Sequence, residues 1–364
     1  MRCFSGAYAE AREKFLEAAA RRGAAVESHV LDAHQGAQGE TLAIDVARIG
    51  ALDAQRLLLV SSGTHGTEGF CGSGCQVAAL RDDDLIARME RAGVALVLVH
   101  AINPHGFSHL HRTNEDNVDL NRNHVAFDAP LPVNAAYAEV EPLLLPATWP
   151  PTPADDAALA ADIERRGARA FQAAATAGQH VSPDGLFYGG RAPTWSNRTL
   201  RAVLRAHGAR AAHIGWIDLH TGLGPCGHGE KIHVGRSEPA AVRRSRAWWG
   251  ADVVTLFDGQ SVSAEVAGPV VSAVHDECPQ AASTLLALEF GTVPFDRVMR
   301  CLRADAWLRR HPEAPPGQRR AIAQGMRDAL YVDTDAWRGM VLGQARVALL
   351  QAVRGLDGEG ASVP

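Results

Sequence analysis

Lysine is nearly missing from this chain, which has only Lys14 and Lys231 against abundant but dispersed arginine. With a formal net charge of -5, the sequence lacks the clustered basic surface that binding to nucleic acid or an anionic membrane requires. Cysteine is sparse as well. Cys3, Cys71, Cys75, Cys226, Cys278 and Cys301 are too few and too scattered for a disulfide framework in 364 residues, and they read as free thiols of a reducing compartment. Cys71 and Cys75 have neither the C-x-x-C form nor a second pair, so they read as small packing residues. No apolar run approaches the length of a membrane span. The N-terminus, interrupted by Arg2, Glu10, Arg12, Glu13 and Lys14, has no secretory h-region, and a cytoplasmic location is the default expectation. Disorder is excluded too, since 46% of residues are hydrophobic and 21% charged, the balance of a globular chain.

What is present concentrates its chemistry in one stretch. Leu57-Leu58-Leu59-Val60 is a short apolar run closed by Ser61, Ser62 and Gly63, which predicts a buried strand ending in a loop. His65 and Glu68 follow at the strand's carboxyl end, the edge of an α/β sheet where ligands bind. Gly63, Gly66 and Gly69 make the turn permissive enough to aim a nitrogen and a carboxylate at one point. Alone, a His-x-x-Glu is more often a surface pair.

The rest of the chain supplies partners. Phe15, Leu16 and Ala19 at helical spacing predict a helix over 9–22, and 26–31 and 42–47 read as strands. Helical pattern over 72–91 and the apolar run Val94–His100 complete a strand, helix, strand series with uninterrupted apolar strands, the mark of a sheet covered on both faces. A polar segment from Phe107 to His124 begins just past the second strand end. An irregular excursion over 128–153, one long helix over 155–177 and a helix over 197–206 come next. Then Ile214–Leu219 repeats the opening pattern, an apolar strand running into a glycine-rich turn with His220 at the junction, and Leu285–Gly291 is a strand interrupted by Glu289 alone. From about 295 the tail reads as helical, with Asp333 or Asp335 as N-cap of the last helix. No linker or repeat divides the chain. One domain, 1–364, is expected, with an insertion at about 125–200 and a helical extension from about 295; its fold class is α/β, a mixed, largely parallel central sheet flanked by helices.

Three strand ends thus offer His65 with Glu68, His220, and Glu289. Two histidines and a glutamate, with a fourth position left to water, are a typical ligand set of one hydrolytic zinc ion. Glu289 is suited to be the general base, because an unpaired carboxylate in a buried strand needs a function or a cation. A structural ion pair with arginine is the plain alternative. His100, His105, His109 and His111 compete as donors but lie in or beside the polar loop.

Four motifs taken together carry a resemblance. The His-Gly-Thr-Glu-Gly of 65–69, Arg-Thr-Asn-Glu-Asp-Asn-Val-Asp-Leu-Asn-Arg-Asn of 112–123, Asp-Leu-His-Thr-Gly of 218–222 and Leu-Glu-Phe-Gly-Thr of 288–292 are similar to the M14-type zinc carboxypeptidase superfamily. More specifically they resemble its bacterial DUF2817 branch, related to succinylglutamate desuccinylase and aspartoacylase. The resemblance covers about 40–295 and implies a zinc carboxypeptidase-like, phosphorylase/hydrolase-like fold. It implies zinc ligands at His65, Glu68 and His220, and a general base at Glu289. Arg112 would polarise the scissile carbonyl, and Asn121 with Arg122 would grip a terminal carboxylate. Surface pairing of these arginines with Glu115, Asp116 or Asp119 is the plain alternative. No tyrosine stands between Ser263 and Leu288 to cap a substrate, and Tyr188 is the candidate to do so from another loop. The insertion is expected to narrow the pocket or to join copies in a homo-oligomer. The implied substrate is a small peptide or, as the second reading, an N-acyl amino acid. A relative that binds metal or peptide without catalysis is the alternative of another class, and it would have no use for Glu289.

Overall fold

The computed structural model describes residues 2–358, so residue 1 and residues 359–364 of the expected 1–364 domain lie outside the described residues. The helical stripe near the N-terminus forms α1 (Tyr8–Arg21), which buries Ala11, Phe15 and Ala19. β1 (Ala25–Gln35) and β2 (Thr41–Ile49) pair as a hairpin, and β3 (Arg56–Ser62) follows. Past the glycine-rich turn come α2 (Gly69–Leu80) and α3 (Asp83–Arg91). Asp82 separates them, because its side chain accepts from Leu85 N and caps the second helix. β4 (Val94–His100) is buried throughout, and α4 (Pro104–His109) starts on the Asn103 cap.

The excursion over 128–153 contains α5 (Tyr137–Leu144). The single helix expected over 155–177 is two, α6 (Pro153–Arg166) and α7 (Ala168–Thr176). Gly167 breaks it with a φ of 84°, a left-handed conformation that ends a helix. α8 (Trp195–Gly208) leads to β5 (His213–Gly222). β6 (Gly229–His233), α9 (Pro239–Trp249), β7 (Val254–Thr255) and α10 (Ala273–Glu277) then precede β8 (Ala282–Gly291). The tail is α11 (Phe295–Arg310), α12 (Pro316–Leu330) and α13 (Asp335–Gly358). Its last helix is capped by Thr334, whose Oγ1 accepts from Trp337 N at 3.3 Å, and not by Asp333 or Asp335.

The strands make one sheet in the order β1-β2-β4-β3-β5-β8-β6-β7. Its centre, β4-β3-β5-β8, is parallel, and β2 and β6 join it antiparallel. Alternate residues of each central strand enter opposite cores, which is why the apolar runs in these strands do not alternate with polar residues. Leu58 and Val60 of β3 pack with Phe15, Phe70 and Trp337 on one side, while Leu57 and Leu59 pack with Leu200, Trp216 and Val274 on the other. Among the described residues no helix is long and apolar enough to cross a membrane. All six cysteines are free thiols.

Buried histidines give the fold a pH dependence. His124 is 6% exposed, neither ring nitrogen has a hydrogen-bond partner among the described residues, and burial, helped by Arg201, pushes its pKa down to about 3. The unfolded chain takes up this proton near 6.5, whereas the fold refuses it. The contribution is therefore complete above pH 6.5 and is lost as the pH falls towards 3, by at most about 1.4 kcal/mol per pH unit. His124→Leu should flatten the decline of the urea midpoint between pH 6 and 4. Identical slopes in variant and wild type would clear His124 of that role.

Candidate metal centre and active site

Adjacent parallel strands bring the candidate residues to one edge. His220 of β5 and Glu289 of β8 are register partners. His65 lies just beyond β3, and Glu68 ends the single 3-10 turn that leads into α2. The turn needs its glycines: a Cβ on Gly66 would sit 2.0 Å from the backbone carbon of Gly106, and Gly63 has a φ of 63°. Here the chain passes directly over α4. Gly66 N and Thr67 N donate to the carbonyls of Arg112 and His111, which staples the turn from His65 to Glu68 to the polar loop.

Glu68 is the hub. Its Oε1 lies 2.8 Å from His65 Nδ1, and its Oε2 lies 3.1 Å from His220 Nδ1 and accepts from Thr221 N at 3.0 Å. One donor atom from each of His65, Glu68 and His220 falls within 4.8 Å of the others, the one such group among the described residues. Burial pushes the Glu68 carboxyl up, but the facing histidines more than offset this and hold it below the usual range. Burial alone would lower His220, yet Asp218 and Glu68 raise it. The site thus gathers carboxylates around two imidazoles, and a donor set of two nitrogens and a carboxylate oxygen suits a borderline metal ion such as zinc.

The far nitrogens of both histidines meet buried carboxylates. His220 Nε2 is 2.6 Å from Asp218 Oδ2, and His65 Nε2 is 3.3 Å from Asp119 Oδ1. Such partners orient metal-binding imidazoles. Asp119, fully buried, also accepts from Arg112 Nε at 3.0 Å and lies 3.9 Å from Arg122. It is not a surface partner of these arginines, as the plain alternative has it. Asp218 could have been assigned from its place two residues before His220 on the same strand face. Asp119 had no distinguishing signal among the other polar residues of its loop.

His65, Glu68, Asp218 and His220 open onto a cavity that Arg112, Asn121, Arg122 and Glu289 also line. Glu289 Oε1 accepts from Leu223 N at 3.0 Å. Burial and then the Glu68 charge raise its pKa to about 7. Arg112 turns towards His65 and Glu68, with Nη2 2.8 Å from His65 Nε2 and Nη1 3.4 Å from Glu68. Arg122 donates through Nε and Nη2 to the Thr176 carbonyl and through Nη1 to that of Asn121. The Asn121 side-chain oxygen accepts from Val270 N at 2.9 Å.

Gln172 and Thr176 of α7, with Phe187, form a wall of this cavity. The ring of Phe187 faces the guanidiniums of Arg112 and Arg122 at 5.1 and 5.6 Å. Tyr188 does not line it. Phe187 has a φ of 54°, and in this local turn its ring, not the phenol of its neighbour, reaches the cavity. The competing histidines also lie outside the lining. His100 stacks on Phe15, His105 stacks on His109, and His111 Nδ1 pairs with Asp305 at 2.5 Å.

A family model described as "Protein of unknown function (DUF2817)" matches residues 4–344. No curated protein matches the chain by sequence. Among solved structures, it is similar to carboxypeptidase A from Helicoverpa armigera at 15% identity and a TM-score of 0.44, covering 89% of this chain and 74% of that one. It is similar to thrombin activatable fibrinolysis inhibitor at 11% identity and a TM-score of 0.44, over 89% and 73% of the two chains. A metallo-carboxypeptidase from Burkholderia cenocepacia is similar at 12% identity and a TM-score of 0.42, over 94% and 68%.

Proposed function

The chain belongs to the DUF2817 family, and from that premise we propose that it is a zinc-dependent hydrolase cleaving an amide bond next to a free carboxylate. The observation that carries this reading is a metal-ligand group, His65, Glu68 and His220, sharing one cavity with a carboxyl, Glu289, that binds neither histidine. A zinc ion held there would activate water and polarise the scissile carbonyl. The chain's own residues do the rest. Glu289, with a pKa near neutrality, takes a proton from the attacking water and returns it to the leaving amine. Arg112 lies at the rim of the metal-ligand group and offers hydrogen bonds to an oxyanion, while Asn121 and Arg122 bind the substrate's carboxylate.

The wall of Gln172, Thr176 and Phe187 favours a small substrate, a short peptide or an N-acyl amino acid, over a long chain. The carboxylate grip has a selective test. Arg122→Ala should raise KM about tenfold for substrates with a free carboxylate, the loss of one charge-assisted contact, and leave amidated analogues nearly unchanged. Equal losses on both would remove Arg122 from substrate binding.

A further inference from the structure

Behind His220 the structure contains a hydrogen-bonded chain in which every proton has one allowed direction. Trp216 Nε1 donates to Ser61 Oγ at 2.7 Å, and Ser61 Oγ donates to Asp218 Oδ1 at 2.6 Å. Thr64 Oγ1 donates to both Asp218 oxygens at 3.1 Å, and Asp218 Oδ2 lies 2.6 Å from His220 Nε2. None of these residues is more than 5% exposed, so water does not compete for the groups. The layout follows from strand geometry. Trp216, Asp218 and His220 alternate along one face of β5, and Ser61 of β3 is the register partner of Asp218.

An indole N–H can only donate, so Ser61 must accept from Trp216 and spend its single proton on Asp218. A carboxylate such as Asp218 can only accept. Its second oxygen therefore requires N–H at His220 Nε2, so Nδ1, on the Glu68 side, is the nitrogen left for a metal ion. His65 has no such constraint, because its Nε2 faces a donor, Arg112, and an acceptor, Asp119, at once.

We infer that Ser61, backed by Trp216 and Thr64, is a positioning residue that holds Asp218 so that His220 keeps its proton on Nε2 and presents Nδ1 to the metal. This rests on the metal-centre reading above. The zinc-loaded wild type provides the first test: ring-nitrogen spectra should place the His220 proton on Nε2, and a proton on Nδ1 would overturn the inference. Competition with a chromogenic chelator provides the second. Ser61→Ala should weaken zinc about tenfold and Asp218→Asn by about 10- to 100-fold, the scale for partners of metal ligands. Because Ser61 acts through Asp218, the double variant should bind no more weakly than Asp218→Asn alone. An unchanged zinc Kd in Ser61→Ala, or losses that simply multiply, overturns the inference while the metal centre stands. A wild type that holds no zinc overturns both.

Discussion

Glu289→Gln should lower turnover by about a thousand-fold, the scale of a lost general base, while zinc content and melting temperature stay at wild-type values. Glutamine has the shape of the residue it replaces, and its side-chain oxygen can keep the hydrogen bond from Leu223 N, which is 3.0 Å long in the wild type. What it cannot do is take a proton. The wild-type carboxyl is suited to that task, since burial and the nearby Glu68 raise its pKa to about 7. As the register partner of His220, it also stands beside the candidate ligands His65, Glu68 and His220 without joining them. Turnover measured on the best member of a panel of dipeptides and N-acyl amino acids decides the point. An unchanged rate would dismiss Glu289 as the base and favour a relative that binds without catalysis.

Removing the metal should have an effect at least as large. After chelation, turnover should fall to background, and one equivalent of zinc should restore it. Glu68 lies between His65 and His220, with Arg112 3.4 Å away, so these side chains have partners in one another and the fold should survive chelation. Zinc at a hundred times its Kd adds about 2.7 kcal/mol of stability, which a thermal melt reads as a rise on re-addition. Turnover that resists a tight chelator would take the metal out of the reaction.

The sequence announces the centre of this site better than its support. His65, Glu68, His220 and Glu289 stand out because each interrupts or follows an apolar strand, where a polar group needs a reason to be. Asp119 and Asp218 complete the histidine partners through distance in space, and neither spacing nor composition encodes that distance for Asp119. Phe187 was hidden by Tyr188 for a similar reason: a left-handed φ of 54° at Phe187 decides which ring lines the cavity. The central strands were legible from unbroken apolar runs. β6 was not, because five residues containing Glu230 and Lys231 show neither alternation nor a buried run. In the Ala- and Arg-rich stretch after Pro153, helix propensity continues on both sides of Gly167, and only the backbone turn there splits α6 from α7.

The proposed chemistry depends on His65, Glu68 and His220 together holding a single catalytic ion. Elemental analysis of the purified wild type and of Glu68→Ala, dialysed side by side against the same zinc buffer, tests it directly. The wild type should hold close to one zinc per chain and the variant almost none. Equal metal in both, or none in either, would contradict it.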